Sequence, residues 1–136
     1  MRHKKRGFTL LELTIVLAIL AVIAAIVIPM FMTTTYRARL RGDIQSARVI
    51  QNAMDLYRVE RGQSVAGATM ALMIQNLSAA GYIDARNAVT QSQGAMWIVH
   101  NERGVIVDIT ASPQGVRNAF ANLTDEEKFF VHGGGQ

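Results

Sequence analysis

Residues 6–32 read RGFTLLELTIVLAILAVIAAIVIPMFM, and this stretch decides the fold. From residue 8 to residue 32 the only charged side chain is Glu12. Residues 13–32 are twenty positions without a charge. As a helix they cover about 30 Å at ~1.5 Å per residue, the thickness of a bilayer core. Before the run stands Met1-Arg2-His3-Lys4-Lys5-Arg6-Gly7, a short basic leader. Its cations predict an N-terminus on the cytoplasmic side and the bulk of the chain outside, by the positive-inside bias. A secretory signal carries its small-residue cleavage site after the apolar region. Ala24 and Ala25 offer such a site, but the apolar run continues past them, so a retained helix is predicted.

The charge balance follows the same boundary. The chain carries a formal charge of +4 and a pI near 10.0. Arg2, Lys4, Lys5 and Arg6 are four of the fourteen Lys/Arg, and no acid precedes Phe8. From Phe8 onward ten Lys/Arg therefore face ten Asp/Glu. The basic character belongs to the leader, so nucleic acid is not expected as a partner, and a body of near-zero charge suits self-association. Cysteine is absent, which excludes disulfides and thiolate metal sites.

Beyond Pro29 helical spacing persists while polarity changes. Leu40, Ile44, Ala47, Ile50, Met54 and Tyr57 fall at three- and four-residue steps, one stripe of a helix. Arg37, Arg39, Arg41, Asp43, Arg48, Asp55 and Arg58 are placed on the remaining surface, and Gly62 is a helix stop. The remainder reads as a small mixed head. Residues 63–69 form a loop, and a short helix over 70–80 turns Leu72, Met73 and Leu77 inward before Gly81. Strands over 96–100 and 105–111 are joined at Asn101-Glu102-Arg103-Gly104. A helix starts at Ser112-Pro113, with Ser112 as cap, and runs to Leu123. Thr124 and Glu127 make a capping box for a last turn through Phe130, and a flexible end follows. Trp97, Phe120, Phe129 and Phe130 are assigned to the core. The expected class is α+β: a long N-terminal helix, half transmembrane and half amphipathic, against a head of short helices and a small antiparallel sheet. The expected organisation is leader 1–7, transmembrane and assembly helix 8–32, amphipathic continuation 33–62 and head 63–136.

Arg6-Gly7-Phe8-Thr9-Leu10-Leu11-Glu12, with Pro29, resembles the processing region of type IV prepilins and type II secretion pseudopilins. That family's leader ends in Gly before Phe, with Glu at the fifth mature position and often Pro at the twenty-second. Here these are Gly7, Phe8, Glu12 and Pro29. The resemblance covers the first fifty to sixty residues and implies a pilin-like fold. It also implies cleavage between Gly7 and Phe8 by prepilin peptidase, a membrane aspartic enzyme that N-methylates the new terminus at Phe8. A carboxylate in an apolar helix costs a few kcal/mol unless it is partnered. In the family the partner of the residue matching Glu12 is the N-terminal amine of a neighbouring subunit, which sets axial register. The bland alternative is a carboxylate that snorkels at the cytoplasmic interface. Pro29 lacks an N–H and opposes the carbonyl of Ala25, which predicts a kink, or local melting on assembly. The further partners implied are identical or related subunits in a helical filament and an inner-membrane assembly platform with a cytoplasmic ATPase.

Other signals carry less. His3, His100 and His132 lack metal-ligand spacing, and no nucleophile motif surrounds any Ser, so no catalytic residue, metal or cofactor is expected. Asp125-Glu126-Glu127 invites a calcium reading, because a C-terminal loop of major pseudopilins binds that ion. It lacks an Asp-x-Asp-x-Asp pattern, and a helix N-terminus explains its acids. Arg37, Arg39 and Arg41 read as a solvated or subunit-pairing face. The expected function is a structural, non-enzymatic filament subunit of a secretion pseudopilus or pilus, anchored in the inner membrane and then assembled outside it. The alternatives are a minor or tip pilin binding a ligand such as DNA, and an unrelated signal-anchored binding protein.

Overall fold

The computed structural model describes residues 8–134 and divides the chain into two units at Thr33 and Thr34. Gly7, the rest of the leader, Gly135 and Gln136 lie outside the described residues. Helix α1 is one element, Leu10–Arg61. It is followed by α2 (Met70–Ala79), a 3-10 turn (Ala85–Asn87), β1 (Met96–His100), β2 (Gly104–Asp108), α3 (Gln114–Ala121), α4 (Asp125–Phe129) and β3 (Val131–His132). This is the α+β architecture expected.

In the first unit the α1 residues are exposed on every side. A helix satisfies its own backbone there, which an apolar segment in lipid requires. Pro29 sits inside the helix without ending it, and the Thr33 hydroxyl donates to the Pro29 carbonyl at 3.3 Å.

In the second unit α1 buries Leu40, Asp43, Ile44, Ala47, Ile50 and Ala53. Leu40, Ile44, Ala47 and Ile50 share a core with Val105, Val107, Ile109, Val116 and Val131. Each fully buried Leu or Ile contributes about 2 kcal/mol by its removal from water. A smaller cluster joins Ala53, Val65 and Leu77, with Tyr57 and Tyr82 at its edge. The helix ends where expected: Gly62 adopts φ +67°, and its N–H donates to the Arg58 carbonyl at 2.9 Å.

Strands β1 and β2 form the expected antiparallel hairpin, Trp97 opposite Val107. The sheet has a third strand that the sequence reading leaves out. Strand β3 pairs parallel to β2, with Val107 opposite Val131. The Val107 N–H donates to Phe130 O at 2.8 Å, and the Ile109 N–H to His132 O at 2.9 Å. Val105, Ile106 and Val107 are all buried although a strand alternates its faces, so both faces of β2 are covered.

Several local expectations are corrected. Leu72 is exposed, and α2 instead turns Ile74 inward beside Leu77, with Met73 half-buried. Pro113, not Ser112, caps α3, and no side chain bonds at that cap. Phe129 is about half exposed, while Phe120 and Phe130 pack against the core. Trp97 is buried as expected and donates Nε1–H to Ala88 O at 3.2 Å.

Candidate assembly site at the N-terminal helix

The start of α1 is built by Thr9 and Glu12. The Thr9 backbone N–H donates to Glu12 Oε2 at 3.0 Å, and the Thr9 hydroxyl to the same oxygen at 3.1 Å. In return the Glu12 N–H donates to Thr9 Oγ1 at 3.2 Å. This is a reciprocal capping box, which satisfies two of the donors that a helix start leaves open. The sequence reading weighs Glu12 as a partner for a foreign amine or as a snorkelling side chain, and Thr9 enters neither reading. The same Thr-x-x-Glu spacing recognised at Thr124 identifies Thr9 too.

A carboxylate accepts at two oxygens. Among the described residues the bonds to Glu12 all go to Oε2. The carboxylate is thus held in place through Oε2. Phe8 lies next to this cap and is exposed. Pro29 is seventeen residues along from Glu12, about 26 Å of helix, so it belongs to no common site with Phe8 and Glu12. Gly7 falls outside the described residues. Among the described residues no group of three His, Asp or Glu is placed to hold a metal ion.

Comparison with known proteins converges on this segment. Residues 2–28 match the family model described as the prokaryotic N-terminal methylation motif. Over 132 residues the chain is 25% identical to the type II secretion system core protein G of Escherichia coli, covering 90% of this chain and 91% of that protein. It is 39% identical over 59 residues to the prepilin peptidase-dependent protein A of Clostridium perfringens, covering 43% and 42%. It is 30% identical over 106 residues to a fimbrial protein of Neisseria meningitidis, covering 75% and 62%. The methylation motif and these relatives together support a type IV pilin-like family. It spans nine-tenths of the Escherichia relative but less than two thirds of the other two. No solved structure matches it.

Beyond residue 33 the polar side of α1 is divided: Arg39, Asp55 and Arg58 are exposed as expected, while other polar residues turn to the head. Asp43 is fully buried, and its carboxylate accepts the N–H of Gln91 at 2.6 Å and that of Ser92 at 2.9 Å. Arg41 pairs with Glu127 at 2.7 Å, and Arg48 with Glu126 at 3.1 Å. The Arg48 guanidinium also lies 4.5 Å from the Phe130 ring centre. Gln51 accepts the Val105 N–H at 2.9 Å, fixing the hairpin turn to the helix. Gly104 permits that approach: a Cβ there would fall 2.5 Å from Gln51 Oε1. These side chains fasten the head to α1. Helical periodicity alone could not find them, because their partners lie 48 to 86 residues away.

Proposed function

We propose that this chain is a structural, non-catalytic subunit of a type IV filament. Prepilin peptidase cleaves it between Gly7 and Phe8 and methylates the new amine, and α1 then packs among other copies. The observation that supports this most is the first unit: an uncharged helical surface exposed on all sides, with one carboxylate held at its start by its own cap. Cleavage would remove four cations that resist passage through a bilayer and would create an ammonium at Phe8. The carboxylate of a neighbouring Glu12 is a suitable acceptor for that ammonium, and pairing the two sets axial register. Before assembly the helix anchors the chain in the inner membrane with its N-terminus cytoplasmic. A platform with a cytoplasmic ATPase supplies the work of extraction. Similarity along nearly the whole Escherichia protein favours a secretion pseudopilus over a pilus.

Intact-mass measurement and N-terminal sequencing of the protein from its native membrane test the reading. The expected chain begins at N-methylated Phe8. A chain beginning at Met1, in cells with an active prepilin peptidase, overturns it.

A further inference from the structure

Between Val49 and Val59 the outward face of α1 carries no charge. Ala38, Gln45, Val49, Asn52, Leu56 and Val59 are all exposed, Val59 to 81%. At about 100° per residue they fall within an arc of roughly 80°, opposite the face that buries Leu40, Ala47 and Ile50. An amphipathic helix that ended its contacts at its own head would present charges here. Instead Arg41 and Arg48 are drawn aside to Glu127 and Glu126.

The head carries a second uncharged surface. A groove of about 400 Å³ lies between α2, the segment before β1 and β1 itself. Met70, Val89 and Met96 line it, with Val89 62% and Met96 52% exposed. No ionisable side chain lines it. Its side-chain donors are already used, Trp97 Nε1–H on Ala88 O and the Thr90 hydroxyl on Ala95 O at 2.9 Å. What remains for a partner is apolar surface.

We propose that the groove of one copy seats the Val49–Leu56–Val59 stripe of a second copy. The inference rests on the filament reading above. It names a second contact in addition to the packing of residues 8–32. Two arguments select a copy of this chain as occupant. The stripe continues along the same helix that the filament reading already packs against other copies, so a neighbouring copy's head lies within reach. The two surfaces also match in charge, since neither presents an ionisable group and a charged partner would be left without a counterion in either. Because stripe and groove are different patches, the contact is heterologous, the class of contact that can repeat without closing, as an open helical filament requires.

The chain has no cysteine, which makes the test direct. Full-length Leu56→Cys and Val89→Cys chains are co-expressed with the assembly machinery, and the filaments are oxidised. The expected result is a cross-linked dimer when both variants are present and none with either alone. Leu56→Glu, at an exposed position, should keep its thermal transition yet enter filaments about tenfold less well, as a carboxylate pressed against apolar surface must. Filaments that form normally without the cross-link, or with Leu56→Glu at full occupancy, overturn this contact and leave the filament reading standing. A Val89→Cys chain that cross-links only to some other protein overturns it as well. A wild-type chain that forms no filament removes both proposals.

Discussion

Asp43 holds its carboxylate out of water on the strength of two backbone N–H groups from one loop. Replacing it by Ala orphans both donors, at roughly 1–3 kcal/mol for each that stays buried. Asp43→Ala should therefore destabilise the detergent-solubilised chain by about 2–6 kcal/mol, read as a lower thermal transition, with Asp43→Asn intermediate because it keeps one acceptor. An unchanged transition would mean that the loop at Gln91 and Ser92 is held by other contacts. Glu12 is a different kind of carboxylate. Its cap is local and exposed, so Glu12→Ala should leave the fold and the cleavage rate nearly intact while blocking incorporation. Gel analysis of processing beside sheared-filament yield separates the two effects, and normal filaments would remove Glu12 from assembly. The sequence shows Glu12 as an anomaly because a charge in an apolar run has nothing around it to hide its meaning. Asp43 lies among arginines at polar spacing, and nothing local marks it as buried.

Helix α4 shows how much of an element's stability comes from one motif. Its five residues are too few to stand alone, yet the expected capping box is complete. The Thr124 N–H donates to Glu127 Oε2 at 2.8 Å, and the Glu127 N–H to Thr124 Oγ1 at 3.3 Å. The Thr124 bond, and then the Arg41 guanidinium, hold the Glu127 carboxyl below its ordinary value of 4.5. A depressed value means that the folded state favours the charged form. The contribution is complete above pH 4.5 and is lost as pH falls through the lower, folded value. Hydrogen exchange at Phe130 and Val131 should accelerate on acidification through that window, and Glu127→Gln should flatten the response. Thr124→Ala should cost about 1 kcal/mol, roughly 4–8 °C for a unit of this size. Exchange that ignores pH there would show that the apolar seat of Phe130 is sufficient. Elements whose signals are local, the helix stop at Gly62, the hairpin at Asn101 and this box, were legible from the chain alone. Strand β3 was not. Two residues carry no periodicity, and its place depends on a partner 24 positions earlier.

At the scale of the molecule, polarity is partitioned along the chain. Removal of residues 1–7 takes away four Lys/Arg and leaves ten against ten Asp/Glu, so the processed form should focus near neutrality and not near pH 10.0. Isoelectric focusing of the protein from peptidase-positive and peptidase-negative cells checks this, and identical positions would contradict processing. The class, and Glu12 as the lone charge of the apolar run, were readable because that run is contiguous in sequence. The fastening of head to helix was not readable, since it depends on pairs brought together only by folding.

The parallel pairing of β3 with β2 also sets an order in time. A ribosome delivers Gly104–Asp108 well before Val131, so β2 waits with one edge open while α3 and α4 are made. Val131 is a core residue, and the head cannot close until it arrives. Closure of the head is therefore a late step in folding, because it waits for a strand made 24 positions after the one it pairs with.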